Sequence, residues 1–298
     1  MYDIIIIGAG PAGLTSALYA RRANKKVLVL ESKAYGGQII NASNIENYPG
    51  IENITGFDFA TNLYNQVKKL NCEIKYEKVD KIDENLNVTT NKNKYKSKSI
   101  IIATGVMHRK LELENENKLI GKGISYCATC DGNFYKDKTV AVVGGGNTAL
   151  IDAIYLSNIA KKVFLIHRRN DFRADYKYVE EIKLKNNVEL ILNHTITEII
   201  GHNKLESIEI TNQNNQTKEL LNIDGLFVAI GQIPNNDFLK EIIELDENGY
   251  IISEDGVHTN INNVYVAGDT RIKELRQLST ATSDGAIAAT TAIKEMED

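Results

Sequence analysis

Two cysteines separated by two residues, Cys127-Ala128-Thr129-Cys130, lie shortly before a glycine-rich turn, Gly144-Gly145-Gly146. A turn of the same kind, Gly8-Ala9-Gly10-Pro11-Ala12-Gly13, opens the chain. The cysteine pair admits four chemistries. Structural zinc needs four ligands, usually from a second such pair or two histidines, and neither lies nearby. Covalent haem attachment needs a histidine after the second cysteine, where this chain has Asp131. Two inert buried thiols remain one reading. A redox-active dithiol is the favoured one, because the spacing suits a small disulfide ring and thiolate stabilisation. Asp131 beside the pair either carries a proton during exchange or is a turn residue before Gly132. Cys72 stands alone and reads as a passive thiol. No histidine has ligand spacing, so no metal site is expected.

In the first turn Gly8, Gly10 and Gly13 suit a tight turn, close approach to a pyrophosphate and helix–strand packing. The following helix then faces the anion with its N-terminus. Glu31, at the end of the next strand, is placed to accept bonds from ribose hydroxyls. The bland alternative is a glycine turn with a surface acid. Strand, loop, helix, strand and acid in that order favour a dinucleotide. The second turn, Gly144-Gly145-Gly146-Asn147-Thr148-Ala149, ends in alanine where the first ends in Gly13. Its next strand ends in His167-Arg168-Arg169, with Arg173 beyond, instead of an acid. Arginine suits a 2'-phosphate that a carboxylate would repel, so this site prefers NADP over NAD. A solvated basic turn is the alternative, and Asp171 and Asp175 weaken the preference slightly. Two dinucleotide sites and a dithiol together suggest an electron path from nicotinamide through flavin to a disulfide.

These residues need strands and helices in alternation to position them. Ile4–Ile7 is a continuous apolar run, as in a strand buried on both faces. A helix from Ala12 to about Ala23 and a strand Val27–Leu30 complete one β-α-β unit. A helix near Gly56–Leu70 follows, then an antiparallel excursion over Cys72–Asn91 and a strand Ser99–Ala103. Thr139–Val143, Asn147–Asn158 and Lys162–Ile166 repeat the strand–helix–strand plan. Leu226–Ile230 and Val264–Ala267 are further strands, and Gly285–Met296 is a terminal helix. The pattern predicts an α/β fold with two Rossmann-like dinucleotide-binding domains, the second inserted into the first with crossings near 108–112 and 233–238.

The chain of 298 residues is long enough for two ordinary domains, and its formal net charge of -4 suggests neither nucleic acid nor an anionic membrane as partner. Three cysteines make no secreted disulfide framework, which points to a reducing compartment. No targeting segment or membrane span is read at the N-terminus or elsewhere, so a cytoplasmic location is expected.

The motifs GxGPAG at 8–13, GGQ at 36–38, ENYPG at 46–50, ATG at 103–105, SYCATCDG at 125–132, GGGNTA at 144–149, HRRxxFRA at 167–174, DGLFVAIGQIPN at 224–235, AGD at 267–269 and RQ at 276–277 run end to end. Through them the chain resembles the bacterial-type, low-molecular-weight thioredoxin reductases. The resemblance implies an FAD domain from residues 1–110 and 237–298, and an NADPH domain carrying the cysteine pair from 111–236. It implies that Gly8, Gly10, Pro11, Ala12, Gly13 and Glu31 hold the adenosine half of FAD. Gly37, Gln38 and Asn47 would line the flavin, Asp269 would bind the ribityl chain, Gln277 and the backbone of Leu278 would sit near the pyrimidine edge, and Gly36, Gly105, Gly268 and Arg276 would complete the cofactor site. Gly144, Gly146, Asn147, Thr148, Ala149, His167, Arg168, Arg169 and Arg173 would hold NADPH. Cys130 would face the flavin, Cys127 would attack thioredoxin, and Asp131 would donate a proton. A homodimer is implied. The alternative is a same-fold flavoenzyme that serves another redoxin or takes electrons from another donor such as ferredoxin, but a ferredoxin-linked enzyme should lack the arginine set. Two departures stand out. Ile151-Asp152 replace the family's usual acidic pair, and the usual Gly-Glu upstream of the cysteines is replaced around Glu112–Asn117. Because nicotinamide and disulfide belong to one domain and each must meet the flavin, that domain is expected to rotate about its two crossings.

Overall fold

The structure is a computed structural model and describes residues 1–42, 44–253 and 256–297. Two compact units are built from the chain, one from residues 1–107 and 233 onward, the other from His108–Gln232.

The first unit centres on a sheet of β1 (Tyr2–Ile7), β2 (Val27–Glu31), β3 (Glu73–Tyr76), β4 (Val79–Ile82), β5 (Asn87–Thr90) and β6 (Lys94–Ile102), with β17 (Val264–Val266) after the insertion. Strands β3, β2, β1, β6 and β17 run parallel, and β1 pairs with β2 through Ile4↔Val27 to Ile7↔Leu30. The first half of β6 turns instead to an antiparallel ladder with β5, which pairs with β4. The parallel strands alternate their side chains between two cores. Ile4, Ile6 and Val29 pack under the helices α1 (Pro11–Arg22), α2 (Gly56–Lys69) and α7 (Leu278–Glu297). Ile5, Ile7, Leu28 and Leu30 pack on the other face against Val79, Ile82, Val88, Leu239 and Ile243.

The second unit repeats the plan. Strands β8 (Ile124–Ser125), β9 (Thr139–Val143), β10 (Lys162–His167), β11 (Val188–Leu192) and β15 (Gly225–Val228) form a parallel sheet in the order β11-β10-β9-β15-β8. One face is covered by α5 (Asn147–Ser157) and α6 (Tyr176–Lys183), the other by an antiparallel sheet of β12 (His194–Ile200), β13 (Ser207–Asn212) and β14 (Lys218–Asn222). Two one-turn helices, α3 (Glu116–Leu119) and α4 (Ala128–Asp131), complete it. The chain crossings are short strands, β7 (Val106–His108) and β16 (Gln232–Pro234), which pair with each other.

Several elements differ from the sequence expectation. Glu73–Tyr76 joins the first sheet in parallel, so only the part from Val79 on is an antiparallel excursion. The terminal helix starts at Leu278, not Gly285. Gly285 lies inside it, where an added Cβ would meet the Ala12 carbonyl oxygen at 2.2 Å. The Ser16 hydroxyl donates to the Gly285 carbonyl at 3.0 Å, so α7 is pressed directly onto α1. Strands β12 to β14 were not read from the sequence at all.

Candidate active site

The two glycine turns separate what the protein needs from what a ligand needs. Gly8 has φ 108 and a Cβ there would lie 2.2 Å from the Ala103 carbonyl oxygen; at Gly13 it would lie 1.9 Å from the Gly8 carbonyl oxygen. Both glycines are dictated by packing and backbone. Gly10 is different: its backbone is ordinary and extended (φ -76, ψ -177), and the nearest atom to an added Cβ is Gly37 Cα at 3.8 Å. In the second unit Gly144 is dictated (φ 154, Ala229 carbonyl oxygen at 2.3 Å), as is Gly145, whose Cβ would strike the His167 ring at 2.1 Å. Gly146 again has an extended backbone (φ -101, ψ -179) and nothing within 4 Å of an added Cβ. Neither middle glycine is required by the chain itself. Each leaves a cradle that a Cβ would fill.

Both cradles open onto bare helix ends. Gly10 and Gly146 are the N-caps of α1 and α5, and neither helix has a side-chain cap. The ordinary helix α2 is capped, with Thr55 Oγ1 accepting the Asp58 amide at 3.0 Å. Uncapped first-turn amides and the helix dipole suit a phosphate.

Around the first cradle the structure gathers most of the expected residues. Glu31 ends β2 and its Oε2 accepts the Ala9 amide at 2.8 Å. Gly36 (φ 104) donates its amide to the Ala9 carbonyl at 2.8 Å, and Gly37 packs on Gly10. Pro11 is the first residue of α1, where its missing N–H costs nothing. Gly268 (φ 82) packs on Ala12, an added Cβ lying 2.8 Å from the Ala12 Cβ. Asp269 follows, with Oδ1 buried and unpartnered. Burial pushes its carboxyl above the ordinary range, and Lys273 and Arg276 pull it partly back. An orphaned buried oxygen costs free energy unless something donates to it, so Asp269 fits a ligand hydroxyl. Gln38 Nε2 donates to the Val106 carbonyl at 3.3 Å, and Asn47 Nδ2 donates to Gln277 Oε1 at 3.1 Å. Gly105 (φ 63) has open space beside it, and Leu278 is buried at the start of α7. Arg276 stacks over the Tyr250 ring at 4.2 Å and donates from Nε to the Asp269 carbonyl at 3.4 Å.

The residue that sets this loop was not legible in the sequence. Asp284 is buried in α7; its Oδ2 accepts the Gly268 amide at 3.0 Å, Arg271 Nε at 3.0 Å and Lys273 Nζ at 2.9 Å. Burial alone would raise its carboxyl, but the bonds from Arg271 and Lys273 outweigh burial and hold it below the usual range.

Around the second cradle, the Asn147 side chain accepts the Asp175 amide at 2.7 Å, and the Arg173 amide donates to the Gly145 carbonyl at 2.7 Å. These two bonds draw the segment after β10 against the glycine turn. Arg168, Arg169 and Arg173 are exposed, and their side chains make no hydrogen bond or ion pair among the described residues. Three guanidiniums without protein partners can bind an anion bidentately. Ala149 is buried and Thr148 exposed in the first turn of α5. His167 is buried beneath Gly145, stacked on Phe172 at 5.4 Å, with Nε2 bonded to the Asp171 carbonyl at 3.1 Å.

Cys127 and Cys130 are disulfide-bonded, with Cα atoms 5.3 Å apart, at the start of α4. The turn packs on α5: at Gly132 an added Cβ would lie 2.9 Å from the Tyr155 ring. Asp131 Oδ2 accepts the Ser125 hydroxyl at 2.6 Å, while Oδ1 is buried without a partner. Burial pushes the carboxyl above its ordinary range and the Ser125 bond pulls it partly back.

The Gly-Glu departure is resolved by geometry. Asn115 adopts the left-handed conformation (φ 69) that asparagine tolerates, and Glu116 follows it, fully buried. Glu116 accepts the Leu111 and Glu112 amides, each at 2.9 Å, and the Tyr126 hydroxyl at 2.7 Å. Asn115-Glu116 therefore carries out the turn and ties the chain after the first crossing to the residue before Cys127.

The sequence model of pyridine nucleotide-disulphide oxidoreductases matches residues 2–285, and the chain belongs to that family. Within it, the chain is 45% identical over 294 residues to the thioredoxin reductase of Mycoplasma genitalium, covering 97% of this chain and 93% of that protein. It is 42% identical to the thioredoxin reductase of Treponema pallidum, covering 97% and 95%. The crystal structure of thioredoxin reductase from Streptococcus pyogenes superposes with a TM-score of 0.94 at 39% identity, covering 100% of this chain and 98% of that one. The chain is an oxidoreductase that uses FAD and NADPH.

Proposed function

We propose that this chain passes electrons from NADPH, through FAD, to the Cys127–Cys130 disulfide, and from there to the disulfide of thioredoxin or a similar small redoxin. The observation that carries the reading is the disulfide beside a buried, half-satisfied carboxyl, in the unit whose glycine turn opens onto three partnerless guanidiniums.

On the first unit the turn Gly8–Gly13, with Pro11 and Ala12 at the helix start, receives the pyrophosphate, and Glu31 accepts from the adenosine ribose. Asp269 Oδ1 accepts from the ribityl chain. Gly36, Gly37, Gln38, Asn47, Gly105, Gln277 and Leu278 line the flavin, and Arg276, braced on Tyr250, supports the Asp269 loop. On the second unit Gly144, Gly146, Asn147, Thr148 and Ala149 shape the pyrophosphate site. Arg168, Arg169 and Arg173 take the 2'-phosphate, and His167 supports Gly145 from beneath. FAD, when bound, supplies the two-electron link between nicotinamide and the disulfide. Cys130 faces the flavin, Cys127 attacks the partner disulfide, and Asp131 gives its proton to the sulfur that leaves.

A homodimer in the cytoplasm belongs to the same reading. It is supported by the family resemblance, by the small number of cysteines, and by the lack, among the described residues, of any helix long and apolar enough to cross a membrane. Sedimentation of the holoprotein tests the dimer.

NADPH oxidation with a panel of redoxins from the same cell tests the function. Turnover with a thioredoxin is expected, and both Cys127→Ser and Cys130→Ser should abolish it. Reduced Cys130→Ser should trap a mixed disulfide through Cys127. A trap formed by reduced Cys127→Ser, through Cys130, and not by Cys130→Ser would reverse the two roles, and absence of turnover with every redoxin would overturn the reading.

A further inference from the structure

We propose that Ser125 is a positioning residue for Asp131, holding its carboxyl beside Cys127 and stabilising the form that has given up its proton. This inference rests on the proton-donor reading of Asp131. Ser125 is buried at the end of β8, held there by pairing with Phe227 of β15. Its hydroxyl has one hydrogen. The bond to Asp131 Oδ2 is 2.6 Å, while the other acceptor in reach, the Cys127 carbonyl, lies at 3.3 Å, so the hydrogen goes to Asp131. The same oxygen accepts the Cys127 amide at 3.1 Å. Ser125 thus grips the turn at the attacking cysteine and at the carboxyl together.

The two Asp131 oxygens are unequal. Oδ2 is occupied as an acceptor; Oδ1 is buried and accepts nothing. In the neutral carboxyl the 2.6 Å contact can be made with either partner donating, whereas the ionised carboxylate can only accept from Ser125. After the proton leaves, the Ser125 bond becomes charge-assisted and stronger, which favours the donated state. The titratable groups around the turn are tyrosines: Tyr126 at its start, Tyr135 just beyond it, and Tyr155 on α5 beside Gly132. Asp152 lies one turn earlier on α5. Burial, with Asp131 and Asp224 nearby, pushes Tyr135 up to about 12, and burial also raises Tyr126, so neither supplies a counter-charge. Ser125 is the only side chain among the described residues that hydrogen-bonds the carboxyl.

The exchange then balances. Cys127 thiolate attacks the partner disulfide; the new S–S bond forms, the partner's S–S bond breaks, and the leaving sulfur takes the Asp131 proton. Cys130 returns a proton to Asp131 as its sulfur attacks Cys127. This re-forms the enzyme disulfide and releases the second partner sulfur as thiolate. The dithiol loses two electrons and the partner disulfide gains two.

The test compares pH profiles of thioredoxin-dependent NADPH oxidation for Ser125→Ala and Ser125→Thr. Ser125→Ala should move the basic limb upward by about one pH unit and lower the plateau about tenfold, and Ser125→Thr should restore both. In an Asp131→Asn background Ser125→Ala should change the rate by less than about twofold, since coupled residues are not additive. Infrared titration of the Asp131 carboxyl in the oxidised holoprotein needs no redoxin and should show the same upward shift. An unmoved infrared titration, or an equal loss of rate in the Asp131→Asn background, would overturn the role of Ser125. A wild-type enzyme inactive with thioredoxin but with the infrared shift intact would overturn only the choice of partner.

Discussion

The two glycine turns share a plan and diverge at matched positions. At the end of the first turn, Gly13 has an added Cβ barred by the Gly8 carbonyl at 1.9 Å; the matched Ala149 is accommodated and buried. At the next strand end, Glu31 closes onto its own turn through the Ala9 amide, whereas Arg168, Arg169 and Arg173 have no side-chain partners among the described residues. Three residues further along each helix, Ser16 is buried and bonded to α7 through Gly285, whereas Asp152 has no hydrogen bond or ion pair among the described residues. In the first unit the helix is clamped by α7 and the site is built to hold its cofactor. In the second, the helices packed on α5 are the shorter α6 and the one-turn α4, and the site is suited to a ligand that comes and goes.

That contrast breaks most sharply at the third glycine position. Gly13→Ala should destabilise the first unit by more than about 3 kcal/mol and yield colourless protein, because backbone must move. Ala149→Gly should cost only about 1 kcal/mol and leave FAD bound. Denaturant unfolding and the FAD content of the purified protein measure both. Equal losses would mean that the turns are constrained alike.

The strand-end residues give the next effect. Loss of a bond to a charged group costs about 1.5–3 kcal/mol, or roughly 10- to 150-fold in binding. Arg168→Ala should raise KM for NADPH by that factor with NADH kinetics little changed. Glu31→Ala should raise the Kd for FAD similarly and leave KM for NADPH alone. Crossed effects, with Glu31→Ala altering NADPH or Arg168→Ala altering FAD retention, would reverse the assignment of cofactors to units.

Asp152 gives the smallest effect and sharpens the difference in cover over the two helices. Burial pushes its carboxyl up to about 7. The folded state therefore binds this proton more tightly than the unfolded chain, and stability falls as pH rises from about 4 towards 7. Asp152→Asn should stabilise the protein at pH 8, by about 1 kcal/mol once its half-open position is allowed for, and change nothing at pH 4. Melting temperatures at the two pH values test this. A stabilisation present at both would assign the effect to packing.

What could be read from residues alone was local. Ile4–Ile7 and Thr139–Val143 announce buried parallel strands, and the glycines that follow mark the turns. The direction of Glu73–Tyr76 was not legible, because it is set by an available sheet edge far away in sequence. Strands β12 to β14 interleave Ile and Leu with Thr, Glu and Asn in short segments, and their pairing with one another is what makes them a sheet. Gly285 misled because glycine usually ends a helix, whereas here it admits the close approach of α1. Asp284 and Ser125 were missed because the groups they bond are set by the fold and not by residue type or spacing. For Glu116 the missing signal was Asn115, whose tolerance of a left-handed turn lets it stand in for glycine.

Cys72 lies between the carbonyls of Val27 and Glu73, at 4.0 and 3.8 Å, and burial pushes its thiol up to about 11. The third sulfur is therefore silent to alkylating reagents at neutral pH. Intact-mass measurement after brief labelling of the native protein should find no adduct on the oxidised chain and two on the reduced one. A further adduct should appear only after unfolding. The chain thus reports the oxidation state of its working pair directly, in a cell extract and without substitution.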